Sequence, residues 1–205
     1  MALAHPTGFD LETMRQEVRK TYDQVARDPD GIYHFHRGLD YAVEYLGYDR
    51  EALESLPARA TESFAGVANP HALAPLPVGG TVLDIGSGAG TDLLLAARAV
   101  GPEGRVIGVD MTPAMRTKAR ENADASGMGE RIDIRPGMAE DLPLGDHAVD
   151  AVITNGVLNL VADKVRAFSE VKRVLKPGGV LQLGDVLLNV DLHERERMDP
   201  YLWAA

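Results

Sequence analysis

The run Val82-Leu83-Asp84-Ile85-Gly86-Ser87-Gly88-Ala89-Gly90, followed by the apolar stretch Asp92–Val100, constrains this chain more than any other feature. It reads as a strand that ends in a glycine-alternating turn and passes straight into a helix. Such a turn brings backbone N–H groups and a helix N-terminus to one point, beside a ligand. A second strand, Arg105-Val106-Ile107-Gly108-Val109, follows and ends in Asp110. An acidic residue at the second strand's tip is where nucleoside-binding α/β folds take up ribose hydroxyls. The pattern therefore predicts a parallel α/β sheet that holds a nucleoside-like cofactor.

The spacing selects among such cofactors. The dinucleotide fingerprint is G-x-G-x-x-G, with its third glycine one residue later than Gly90. Here the turn is G-x-G-x-G, and Asp84 stands two residues before its first glycine. A carboxylate there repels a pyrophosphate and favours the ammonium of an amino acid. S-adenosylmethionine has that ammonium and a ribose but no phosphate, so the pattern favours it over NAD.

Alternation of strands and helices continues downstream, as a parallel sheet requires. Strands are expected at 81–85, 105–109, 131–135, 148–154 and 180–188. Helices are expected at 91–100, from Thr112-Pro113 onward with the threonine as cap, and at 163–175 before Pro177-Gly178-Gly179. Upstream, Leu11, Met14, Val18, Tyr22 and Val25 recur at helical spacing. A turn-rich stretch leads to a helix bearing Leu39, Val43 and Leu46, and Asp49 is placed to cap a short helix with Leu53 and Leu56. Residues 69–80, rich in proline and glycine, read as a linker. The division expected is an N-terminal helical lid over 1–72 and a cofactor domain over 73–205, packed as one unit.

Several motifs together carry a family resemblance. Val82–Gly90, Val106–Asp110, Ala139-Glu140-Asp141-Leu142-Pro143 and Leu175-Lys176-Pro177-Gly178-Gly179 resemble the successive motifs of class I S-adenosylmethionine-dependent methyltransferases. Gly38–Ala42, Leu46-Gly47-Tyr48, Gly66–Pro70, Gly108–Pro113 and Thr154–Leu160 resemble the arsenite methyltransferases more narrowly. The resemblance implies a Rossmann-like class I sheet with an N-terminal helical lid. Only about 17 residues follow the fifth strand, too few for the usual closing helix and antiparallel strand pair at roughly 1.5 and 3.3 Å per residue. The distal C-terminal strands are therefore expected to be missing: either the chain is a fragment, or a homodimer or a partner chain covers the exposed sheet edge.

The site residues follow from the same likeness. Asp84, with Gly86, Ser87 and Gly88, is assigned to the methionine end of the cofactor, and Asp110 to the ribose hydroxyls. Met111 is expected to pack on adenine, with Met138, Ala139 and Glu140 at the adenine edge. Asn155, at the mouth of the fourth strand, is expected to line the place where acceptor and methyl group meet. Tyr22 could face the sulfonium through its ring, and His34 or His36 could serve as general base. These four are the candidates for chemistry.

The chain has no cysteine, and lysine plus arginine total 21 against 31 acidic residues, for a formal charge of −10. That excess opposes phosphate backbones, so nucleic-acid acceptors are not expected. No stretch approaches a membrane span, and a cytoplasmic location is expected. No metal site is expected, since His34 and His36 stand without a matching carboxylate pattern. Arsenite methyltransferases bind their soft substrate through thiolates, which suits softness matching. Gly156 and the end of Leu202-Trp203-Ala204-Ala205 lack the thiols that the resemblance implies there. The leading expectation is thus methyl transfer to a small molecule. The alternatives are a metalloid methyltransferase whose thiol-bearing part lies elsewhere, and a non-catalytic cofactor-binding or partner subunit.

Overall fold

A computed structural model describes residues 9–187 and 193–203. Its centre is a five-stranded parallel sheet in the order β3-β2-β1-β4-β5. The strands are β1 (Thr81–Ile85), β2 (Arg105–Asp110), β3 (Ile132–Pro136), β4 (Val149–Asn155) and β5 (Leu175–Gly184). The order of strand addition reverses between β1 and β4, leaving a crevice beyond their carboxyl ends. β1 is central and almost wholly buried, which explains its unbroken apolar run around Asp84.

Helices α5 (Thr91–Ala99), α6 (Pro113–Ala125) and α7 (Lys164–Val174) cover the sheet. Leu93, Ala97, Val106, Ala119 and Ile153 belong to one apolar layer, which also takes in the N-terminal residues Tyr48, Leu53 and Phe64. Leu83, Val152, Ala167 and Val171 form the other. Burial of these side chains at roughly 25 cal/mol per Å² drives the assembly.

The N-terminal helices are α1 (Leu11–Arg27), α2 (Leu39–Leu46), α3 (Arg50–Glu54) and α4 (Ala58–Thr61). Asp10 caps α1, accepting from the Thr13 amide at 3.0 Å, and the expected stripe buries Met14, Val18 and Val25. Asp49 caps α3 through the Ala52 amide at 2.7 Å, as expected. Two short C-terminal helices, α8 (Glu194–Arg197) and α9 (Pro200–Trp203), follow, and α9 lies against α1. Among the described residues no helix is long and apolar enough to cross a membrane.

Four local expectations are corrected. Thr112 makes no side-chain cap for α6; its amide instead donates to Asp110 Oδ1 at 2.7 Å, which fixes the turn. Leu175 already pairs with Val149, so α7 ends one residue early. Pro177-Gly178-Gly179 then loops out, with Gly178 at φ +81°, before pairing resumes at Ala151↔Val180. β5 stops at Gly184 because Asp185 turns the chain, accepting from the Asn159 and Val186 amides; Leu188, the expected strand end, lies outside the described residues. The stretch read as a linker folds onto the sheet: Asn69 caps a short turn at Pro70–Ala72, and Gln182 donates to the Ala74 carbonyl.

Candidate cofactor crevice

Gly86, Gly88 and Gly90 all have positive φ, at +71°, +52° and +99°. A Cβ on Gly86 would stand 2.3 Å from Val157 Cγ2, so the turn needs both the dihedral freedom and the space. The sequence had suggested open amides here. Instead, the Gly86 and Ser87 amides both donate to Val109 O, and Gly90 donates to Ser87 O. The Gly88 amide donates to Asp110 Oδ2 at 2.9 Å. With four of its donors taken internally, the turn is poorly equipped to cradle a phosphate.

Asp84 lies on the crevice floor at 2% exposure, and its Oδ2 has no hydrogen-bond partner. Burial, and the charges of Asp92 and Asp110, push its carboxyl well above the usual range. Asp110 is also raised by burial, but the Thr112 and Gly88 amides oppose the shift. Two bonds leave further lone pairs on its oxygens for hydroxyl donors.

The crevice gathers residues from distant segments. Asp84, Gly86, Ser87, Gly88, Asp110, Met111, Met138, Ala139, Glu140, Asn155 and Tyr22 all line it. The Ser87 Oγ is buried without a partner, packed under the turn close to Gly108. Met138 is half-buried and faces the crevice, while Ala139 is buried. The Glu140 carboxylate accepts from Arg15 of α1 at 3.1 Å, tying α1 to the crevice.

Tyr22 is backed by Phe35, with ring centroids 5.9 Å apart. Burial and the Asp110 charge push its phenol up to about 12, so at neutral pH it keeps its proton. His34 and His36 are exposed and do not line the crevice. His34 sits edge-on to Phe35, and His36 stacks on Tyr41 and Tyr45. The fold gives neither histidine a place beside the crevice.

Asn155 is held at every polar atom. Its Oδ1 accepts from the Val67 and Ala68 amides at 2.8 and 3.1 Å. Its Nδ2 donates to Ala68 O, Asp92 Oδ2 and the Tyr48 hydroxyl. Asp92 Oδ1 in turn accepts from the Tyr48 hydroxyl at 2.7 Å and lies 3.1 Å from His71 Nε2. Sequence reasoning passed over Asp92, Tyr48, His71 and Phe35. Tyr48 stood in the Leu46-Gly47-Tyr48 motif without a site role, and the signal for Asp92 was an acidic residue in the first turn of a largely apolar helix.

A doubly wound sheet, a phosphate-averse glycine turn and a carboxylate at the β2 tip define a nucleoside-binding α/β protein. The family model for a methyltransferase domain matches residues 77–201. The chain belongs to that family, whose cofactor is S-adenosylmethionine. It is 46% identical over 157 residues to an arsenite methyltransferase of Halobacterium salinarum, covering 77% of this chain and 40% of that one. It is 41% identical over 168 residues to a demethylmenaquinone methyltransferase of Symbiobacterium thermophilum, covering 82% and 58%. Among solved structures, the arsenic(III) S-adenosylmethionine methyltransferase of Chlamydomonas reinhardtii matches with TM-score 0.67 and 38% identity, over 76% of this chain and 56% of that one. The [4+2]-cyclase SpnF matches with TM-score 0.59 and 25% identity, over 87% and 60%. The chain thus spans about half the length of these relatives. The expected Rossmann-like methyltransferase fold is borne out.

Proposed function

We propose that the chain is an S-adenosylmethionine-dependent methyltransferase acting on a small, largely apolar molecule. The observation that carries this reading is the pairing of a buried, unpartnered Asp84 oxygen with turn amides already taken. That floor suits an ammonium and rejects a pyrophosphate. Asp84, with Gly86, Ser87 and Gly88, would hold the methionine end, and Asp110 the ribose. Met111, Met138, Ala139 and Glu140 would flank the adenine. The bound cofactor supplies an electrophilic methyl group on its sulfonium. The protein's own contribution is alignment and exclusion of water. The crevice lining also includes the apolar Phe64, Val157, Leu160 and Val161. Tyr22 keeps its proton there and can orient an acceptor by donating to it. Asn155 has no free polar atom, so its role is to hold that lining in place.

A metalloid acceptor is the second reading, supported by the likeness to arsenite methyltransferases and by the partial coverage of their length. This chain contributes no thiolate to it. The fold alone does not assign the reaction, since a cyclase shares it. The β5 edge, with Val165, Phe168 and Val180 exposed nearby, supports coverage by a second copy or a partner chain. Light scattering tests that, and a monomer at all concentrations rules out the second copy.

Calorimetry with S-adenosylhomocysteine tests the cofactor, and methyl-labelled cofactor tests the acceptor. Label should pass to an aromatic hydroquinone but not to arsenite with added glutathione. Transfer to arsenite alone would establish the second reading. Binding without transfer to any acceptor in a metabolite extract would make the chain a cofactor-binding subunit.

A further inference from the structure

The floor of the crevice holds more acid than the cofactor reading requires. Asp84, Asp92 and Asp110 all line it, and they are 2%, 7% and 9% exposed. Their surroundings differ. Asp110 accepts from two backbone amides. Asp92 lies in the first turn of α5, where the helix N-terminus favours a negative charge. Its two oxygens are taken by Tyr48, Asn155 and His71. Asp84 has neither an ion-pair partner among the described residues nor a donor for its sealed oxygen. A buried carboxylate without a donor, beside two others that have them, is the member that takes up a proton.

We propose that capture of the cofactor expels a proton from Asp84, and that Asp92 sets the pH at which this happens. The inference rests on the reading that Asp84 receives the cofactor's ammonium. An incoming ammonium supplies the counter-charge the floor lacks, so the bound state holds Asp84 ionised. The proton leaves to solvent, and net charge balances. Asp92 acts through its like charge on Asp84 while its oxygens stay engaged elsewhere. Among the described residues, Asp92 from α5 and Asp110 from β2 share the crevice lining with Asp84, and the Tyr48 hydroxyl from the N-terminal segment lies within reach of its charge. His71 is the one further titratable group on Asp92, and Arg116 acts on Asp110.

The sign follows from linkage. Asp84 is raised in the free protein and ionised in the complex, so the free state binds more protons. Affinity therefore climbs with pH, by up to about tenfold per pH unit, until Asp84 is ionised before binding. Above that point the rise stops.

The test is calorimetric titration of the full chain with S-adenosylhomocysteine, which keeps the ammonium and lacks the transferable methyl. It is run in buffers of different ionisation enthalpy at a series of pH values kept below the loss of the ligand's own α-amino proton. Release should be greatest, up to about one proton per ligand, at the acid end and should fall as pH rises. Asp92→Asn should move the midpoint of this change to lower pH and strengthen acid-side binding severalfold. His71→Gln should keep the release, and Asp84→Asn should abolish it. Where Asp84→Asn binds too weakly to titrate, the Asp92→Asn midpoint decides. Binding without proton release overturns the proposal, as does an unmoved midpoint in Asp92→Asn. So does release that persists in Asp84→Asn or disappears in His71→Gln. A chain that does not bind S-adenosylhomocysteine at all overturns the cofactor reading itself.

Discussion

The two walls of the crevice are built by different means. The turn side is local: Asp110 bonds to Thr112 two residues away and to Gly88 twenty-two residues away. The opposite wall is assembled across the whole chain. Asn155 reaches Tyr48 over 107 residues and Val67 over 88. The turn side is shaped by backbone dihedrals that only glycine adopts easily. The other wall hangs on side-chain hydrogen bonds that can be removed one at a time. The cofactor side should therefore fail with the backbone, and the acceptor side bond by bond.

Gly86→Ala tests the first half of that contrast most severely. Its positive φ and the 2.3 Å approach to Val157 should cost about 3–5 kcal/mol in urea unfolding, with loss of S-adenosylhomocysteine binding. Asn155→Ala tests the second half. It strands the Val67 and Ala68 amides and should cost about 3 kcal/mol of stability. Hydrogen exchange should speed up at those two amides while β1 stays protected. If β1 loosens equally, the two walls are one cooperative unit.

Asp110→Ala removes a charged acceptor and should weaken cofactor binding by about 2 kcal/mol, read by calorimetry. Unchanged affinity would remove the ribose assignment. Arg15→Ala breaks a partly exposed tie between α1 and the rim, so stability should fall by less than about 1 kcal/mol. Its clearer signature is faster cofactor release that added salt reproduces in the unaltered protein.

The smallest effect lies away from the crevice. Asp150 is held below the usual carboxylate range by the Lys176 ammonium, then by the Thr81 amide. A lowered folded value means its stabilisation is complete above the ordinary carboxylate range. It is lost as pH falls through the depressed value. Asp150→Asn should lose well under about 1 kcal/mol near neutrality, and the difference from the unaltered protein should vanish in strong acid.

Legibility in the sequence follows the same division. β1 was readable to the residue, and the Asp49 cap and the α1 stripe were read correctly, because each depends on neighbours within one or two turns. The end of β5 was misread, since Asp185 turns the chain by bonding to Asn159, a partner no local pattern reveals. His34 and His36 were attractive as imidazoles but lie on exposed surface. Asp92 was passed over because an acid in a helix's first turn ordinarily answers only the helix dipole.

By itself the sequence determined the sheet, the glycine turn and the two carboxylates at its strand tips. Those features are set by dihedral preference, apolar periodicity and charge within single strand–turn–helix units. Only the tertiary structure decided that the turn's amides would be taken by Val109 and Asp110 and that Asn155 would fasten the far wall. It also decided that Asp84 would be the carboxylate without a partner. Such outcomes depend on which distant donors reach a buried acceptor first, and that is settled by packing.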